Sequence, residues 1–340
     1  MLGFFMAVLF FEIGLRTLGF PASSIYRIDQ ETGLLTFKPD SEIYIRSECF
    51  SNTIKTNSLG FHSNEYGLEK QEDVFRIAII GDSFIEASQV PIEKTFAYLL
   101  EEKLNSRPDN KYRYEVIPFG ISSHGTYKSL LYLKAYALKF KPDLIIAAYT
   151  LNDLEDDAGE EIKLDKSGRP VLEITPVGPK PVIQKTKDFF KRNLRKSVLV
   201  TTLRKEVLTL KAKFEKKTID DPLKSSPEFI TKAWDNEEKL LNSFNEISKN
   251  SDSKFLLVSL ADARIHSDSV QDLGEIERLK SIAEKASFPY LNLMPVFKER
   301  AEKENKAFVW SCDGHWNKTG NEWAADALFE YFNENRLFNQ

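Results

Sequence analysis

One stretch, Phe75-Arg76-Ile77-Ala78-Ile79-Ile80-Gly81-Asp82-Ser83-Phe84, constrains the fold more than any other. Five of the six residues before the glycine are apolar, the pattern of a strand buried on both faces of a sheet. Gly81-Asp82-Ser83 breaks the run. Between Pro91 and Leu104 apolar residues recur at helical spacing (Phe96, Leu99, Leu100, Leu104). A strand, a tight turn carrying a serine and a helix lift a hydroxyl to the carboxyl edge of a parallel sheet, where open α/β folds keep their sites. Alone, the tripeptide reads equally as a strand-ending turn in which Asp82 or Ser83 caps the next helix.

The same alternation repeats along the chain. Tyr112 to Pro118 is strand-like, followed by the loop Phe119-Gly120-Ile121-Ser122-Ser123-His124-Gly125-Thr126 and a helix with Leu130, Leu133, Tyr136 and Ala137 on one face. Pro142 to Thr150 gives a third buried strand ending at Leu151-Asn152-Asp153. The βαβαβ order predicts a parallel sheet with right-handed crossovers. Phe255 to Leu260 and Tyr290 to Leu293 supply two more strands, with helices over Glu228 to Lys249, Ile276 to Ala286 and 320–334. The expected fold class is α/β, a three-layer α/β/α sandwich around a mostly parallel central sheet.

Three other regions frame this domain at 74–340. Residues 1–22 include a nearly unbroken apolar run, close to bilayer length, and are expected to form an uncleaved membrane anchor. Glu12 and Arg16 interrupt it four residues apart, on one helix face, where they can pair. A cleaved signal peptide fits less well, because the start lacks a basic region and no small-x-small site follows; a helix packed on the domain is the other alternative. Residues 23–73 are irregular and polar, with short strand-like pieces (Ser41 to Ile45), and are expected to cover the domain. Residues 153–225 read as an insertion near the carboxyl edge. Its acidic start, 153–161, is expected to be a solvated loop, and its basic part, 181–217 (Phe190, Leu194, Leu203, Val207, Leu210, Phe214), an inserted helix with a solvated basic face.

A net charge of −4 over 340 residues gives no electrostatic reason to expect nucleic acid. Four histidines and two cysteines show no metal-binding spacing, so neither a metal nor another cofactor is expected. Cys49 and Cys312 are either one disulfide in an exported domain or two free thiols in a cytosolic one.

Three strand-end loops and one C-terminal loop thus hold Ser83, the 120–125 glycine/serine loop, Asn152-Asp153 and Asp313-Gly314-His315-Trp316-Asn317. These four blocks, in this order, resemble the SGNH (GDSL-type) hydrolase family over residues 74 to 334, insertion excluded. The resemblance implies the SGNH/flavodoxin-like version of the fold and a serine esterase or deacylase acting through an acyl-serine. The residues themselves argue the same chemistry. A serine hydroxyl needs a base, and His315 supplies one; Asp313 can fix its tautomer. The backbone N–H of Ser83, a backbone N–H in the 120–125 loop and the amide of Asn152 can serve as an oxyanion hole.

Two departures from the family pattern stand out. In its commonest form the acid lies three residues before the histidine, which here is Cys312; Asp313 lies two before, as in an Asp-x-His subset. The position aligned with the oxyanion glycine is Ser123, whose N–H serves provided the backbone does not need a positive φ. Asn152 reads as functional rather than as a mere turn residue, Asp82 as structural, His124 as an exposed loop histidine, and Trp316 and Trp323 as core or lid residues.

The expected substrate is an ester-bearing small molecule or glycan. Relatives of the Asp-x-His kind act on exported glycans, which favours a membrane-anchored catalytic domain outside the cytoplasm; Arg16 and Arg27 after the apolar run pull the other way. Two alternatives remain: an O-acyltransferase acting on exported polysaccharide with the same triad, and a degenerate module that binds a glycan or partner. Acyl group, alcohol and oligomeric state are not legible.

Overall fold

The computed structural model describes residues 2–17, 25–108, 110–158, 160–177, 227–266 and 270–335. The chain opens with helix α1 (Leu2–Thr17) and two antiparallel hairpins, β1 (Tyr26–Ile28) with β2 (Leu35–Phe37) and β3 (Glu42–Arg46) with β4 (Ser51–Lys55). The core then alternates strand and helix: β5 (Val74–Gly81), α2 (Ser83–Glu86), α3 (Phe96–Asn105), β6 (Arg113–Gly120), α4 (Thr126–Ala135), β7 (Leu144–Tyr149) and α5 (Asp153–Ala158). It closes with α6 (Pro227–Asn250), β8 (Lys254–Ser259), α7 (Val270–Ala286), β9 (Tyr290–Asn292), α8 (Met294–Glu304) and α9 (Lys318–Glu334).

Five strands pair in parallel in the order β6-β5-β7-β8-β9. The strand order reverses between β5 and β7, so a crevice opens at the carboxyl ends there. Side chains of β5 alternate as a pleated strand requires. Ile77 and Ile79 enter a core with Leu100, Phe297, Trp323 and Leu328 of α3, α8 and α9; Ala78 and Ile80 enter one with Leu130, Leu241 and Leu279 of α4, α6 and α7. These three layers are the architecture the sequence predicts.

Arg76 is the polar exception in β5, and it is 2% exposed. Its Nε donates to Glu115 Oε2 at 2.7 Å, and its two terminal nitrogens donate to the carbonyls of Leu68, Phe140, Gly67 and Glu69 at 2.6–3.1 Å. A buried charge needs such saturation. It also ties residues 67–69 to the sheet at the end away from Ser83.

Four expectations need correction or bounding. Within the 1–22 run the described residues form the 16-residue helix Leu2–Thr17. Among the described residues no helix is long and apolar enough to cross a membrane. Nor is α1 packed away, for Met6, Leu9, Phe10, Phe11 and Ile13 are exposed. The covering segment holds the strand expected near Ser41–Ile45 and more besides: its two hairpins bury Phe37 and Ile54, with Phe61 beyond them, in the core cluster that α4 shares. The acidic stretch after β7 is not a solvated loop, since α5 buries Asp153 and Asp157. The basic helix expected over 181–217 lies outside the described residues.

Candidate active site

Ser83 begins α2 directly after β5. Asp82 caps that helix: its Oδ1 accepts from Phe84 N–H at 2.9 Å. Its Oδ2 lies 3.0 Å from the Thr150 hydroxyl, which stands 2.9 Å from Asp153 Oδ1. One hydroxyl has one proton to donate, so the chain closes when Asp153 carries a proton to Thr150 and Thr150 donates to Asp82. Burial supports this, raising Asp82 and pushing Asp153 well above the usual carboxylate range, with the Asp82 charge adding to the Asp153 shift. Asp82 thus sits in a buried network that fixes the turn bearing Ser83.

His315 comes from a tight loop before α9. Trp310 N–H donates to the His315 carbonyl at 2.8 Å, and Gly314 N–H returns to the Trp310 carbonyl at 2.8 Å. Gly314 turns the chain at φ +81°, a conformation that favours glycine. Trp316 anchors the next position: it is 2% exposed, donates Nε1–H to the Ala261 carbonyl at 2.6 Å and stacks on Phe297. Trp316 and Trp323 are both core residues.

The two loops bring His315 Nε2 to 2.7 Å from Ser83 Oγ. A hydroxyl at that distance can pass its proton to the ring. Asp313 Oδ1 accepts the His315 backbone N–H at 3.0 Å, while Oδ2 stands 3.4 Å from His315 Nδ1. At that second distance the two groups make no hydrogen bond, and Nδ1 has no hydrogen-bond partner. Phe84 packs on the imidazole at 5.1 Å between ring centres.

The other predicted residues stand along the same edge. Asn152 lies between β7 and α5, and its Nδ2 donates to Asp156 Oδ2 at 3.1 Å, which occupies one amide hydrogen. Ser123 is exposed and adopts φ +62°. The condition that its backbone avoid positive φ is therefore not met: the serine takes that conformation at a cost of about 1–2 kcal/mol, so its N–H can serve only while the surrounding loop holds it there. His124 is not an exposed loop residue: it is 6% exposed and packs on Tyr132 at 4.7 Å. Burial lowers its pKa to about 3.

Several residues around the site carry no sequence signal. Gln89 Nε2 donates to Asp313 Oδ2 at 3.3 Å. Glu86, 2% exposed, accepts Ser122 N–H at 2.7 Å and the Tyr26 hydroxyl at 2.9 Å. Burial pushes its carboxyl up to about 7 against the pull of these donors. Asn52 donates to the Ser88 and Val90 carbonyls at 2.9 and 2.6 Å, and His62 Nδ1 lies 3.2 Å from the Glu86 carbonyl. Cys49, in the β3–β4 turn, is bonded to Cys312, so the covering segment is tied covalently to the histidine loop. Among the described residues no group of three or more His, Cys, Asp or Glu is arranged to hold a metal ion.

No family model and no curated relative matches this sequence. Solved structures match at the level of the chain path. An acetyl xylan esterase is 16% identical, covering 76% of this chain and 99% of its own, at a TM-score of 0.46. A catalytic mutant of an acetylxylan esterase from Geobacillus stearothermophilus is 13% identical, with 75% and 93% covered and a TM-score of 0.44. A protein of the G-D-S-L family from Desulfitobacterium hafniense DCB-2 is 12% identical, with 75% and 98% covered and a TM-score of 0.42.

Proposed function

We propose that this chain is a serine esterase of the SGNH (GDSL) type, in the Asp-x-His pattern, that removes an O-acyl group through an acyl-serine. The observation that carries the reading is the 2.7 Å contact between Ser83 Oγ and His315 Nε2 at the carboxyl edge of the sheet. His315 Nε2 takes the hydroxyl proton as Oγ attacks the ester carbonyl carbon. The carbonyl π electrons move to oxygen, and the oxyanion meets the backbone N–H groups of Ser83 and Ser123 and an amide hydrogen of Asn152. The C–O bond to the alcohol then breaks, and the imidazolium returns the proton to the leaving oxygen. Water repeats the sequence on acyl-Ser83 and releases the acid. Asp313 stabilises the imidazolium once the 3.4 Å contact tightens with substrate bound.

The acyl ester belongs to a glycan in this reading. The Cys49–Cys312 bond supports a catalytic domain outside the cytoplasm, since disulfides persist in oxidising compartments.

Acetate release from p-nitrophenyl acetate and from acetylated xylan, with Ser83→Ala alongside, tests the proposal. Release that vanishes in Ser83→Ala supports it. Acetyl transfer to a sugar acceptor faster than release to water makes the enzyme an acyltransferase instead. Folded protein with no turnover above the Ser83→Ala background contradicts catalysis and leaves a binding role.

A further inference from the structure

Glu86 makes no contact with the reacting atoms, yet it joins three parts of the site. It closes α2, the short helix that Ser83 opens. That helix lies on the end of β6 so tightly that a Cβ on Gly120 would stand 2.2 Å from the Glu86 nitrogen. The Glu86 carboxylate then reaches into the next loop, where Ser122 N–H donates to Oε2 at 2.7 Å. Tyr26, from the first hairpin, donates its hydroxyl to the same carboxylate at 2.9 Å and stacks on Phe37 at 4.7 Å.

The next residue is Ser123, held at φ +62°. A non-glycine residue stays in that region when its surroundings over-determine it. On its amino side the restraint is the Glu86–Ser122 bond. On its far side Tyr127 N–H donates to both oxygens of the buried Asp157 at 3.2 and 3.0 Å. The loop between is clamped at both ends.

We propose that Glu86 is a positioning residue that holds the 121–125 loop so that the Ser123 N–H faces the developing oxyanion, with Tyr26 of the N-terminal hairpin completing the clamp. The inference rests on the esterase reading for its kinetic consequence and on geometry alone for the loop restraint. It makes the first hairpin part of the catalytic site rather than a cover, for Tyr26 donates to Glu86 alongside Ser122.

The test uses the full chain and the variants Glu86→Gln, Glu86→Ala and Tyr26→Phe. Steady-state kinetics on p-nitrophenyl acetate, inhibition by phenylboronic acid as a tetrahedral mimic, and amide exchange of residues 121–126 are measured together. Gln keeps one acceptor oxygen, so kcat falls in the order wild type, Gln, Ala, by about tenfold or more at Ala, the scale of a misplaced catalytic group. KM stays within about twofold, boronate affinity falls with kcat, and the loop exchanges faster. Tyr26→Phe keeps the stack on Phe37 and lowers kcat several-fold. Unchanged kcat and unchanged loop exchange in Glu86→Gln and Tyr26→Phe overturn the proposal, as does a loss confined to KM. Where Glu86→Ala fails to fold, the other two variants decide. Absence of turnover in the unsubstituted chain sinks the esterase reading instead, and loop exchange still decides the clamp.

Discussion

Gln89 Nε2 donates to Asp313 Oδ2 across 3.3 Å, joining the turn after α2 to the loop that carries His315. The Asp313 carboxylate therefore has a partner on each side: the His315 backbone N–H at 3.0 Å on one oxygen and Gln89 on the other. Two loops separated by most of the domain thus set one carboxylate beside the imidazole.

Removing that carboxylate is the sharper perturbation. Asp313→Ala is expected to lower kcat by about 10²–10⁴, the range for loss of the residue that orients a catalytic histidine. Gln89→Leu leaves the carboxylate in place with one bond fewer and is expected to cost about tenfold. Equal kcat in Asp313→Ala and wild type would remove Asp313 from the mechanism.

The Cys49–Cys312 bond closes a loop across 263 positions of sequence. Cross-links over loops this long restrict the unfolded chain strongly, so the Cys49→Ser/Cys312→Ser pair is expected to lose about 3–5 kcal/mol of stability. Cys312 also abuts Asp313, so activity should fall at temperatures where the variant is still folded. Denaturant unfolding and activity on the same samples check both effects.

Arg76 is predicted to be the costliest single truncation in the sheet. Arg76→Met strips Glu115 of its buried partner and leaves the carbonyls of Gly67, Leu68, Glu69 and Phe140 facing an apolar side chain. Breaking a buried pair on one side costs about 3–5 kcal/mol. Guanidinium unfolding reads this, and a loss below about 1 kcal/mol would contradict the role assigned to it.

His124 gives a pH prediction with a definite sign. Its folded pKa is lowered to about 3 by burial, from an ordinary 6.5, with Lys128 adding to the shift. The unfolded chain therefore takes up this proton first as pH falls. The stability His124 contributes is fully present above about pH 6.5 and is lost as pH drops from there toward 3, at about 1.4 kcal/mol per unit. His124→Phe removes this slope. The stability of the variant relative to wild type should rise steadily from pH 6.5 to pH 4 in urea titrations; a constant difference would refute the assignment.

What the sequence discloses follows from where each signal originates. Ile77, Ile79, Ile145 and Leu257 mark central strands because parallel strands are buried on both faces and read as continuous apolar runs. Ser83 is legible because it sits in the turn at the end of such a strand, and His315 because it stands in an Asp-Gly-His turn just before a helix. Glu86 and Gln89 are not, since a buried carboxylate or amide in a turn looks like any polar turn residue until its partner, distant in sequence, is known. Tyr26 and Asn52 lie in short hairpins whose half-exposed strands give weak alternation, and His62 lies in the irregular segment that follows them. Asp153 and Asp157 read as solvated because charge alone does not reveal burial, which raises both carboxyls above their ordinary value.

The most direct measurement is covalent labelling of the full chain with a fluorophosphonate, followed by mass analysis of its peptides. One adduct is expected, on the peptide carrying Ser83, absent in Ser83→Ala and strongly slowed in His315→Ala. A folded chain that stays unlabelled, or one labelled equally well after Ser83→Ala, would contradict the assignment of Ser83 as an activated nucleophile.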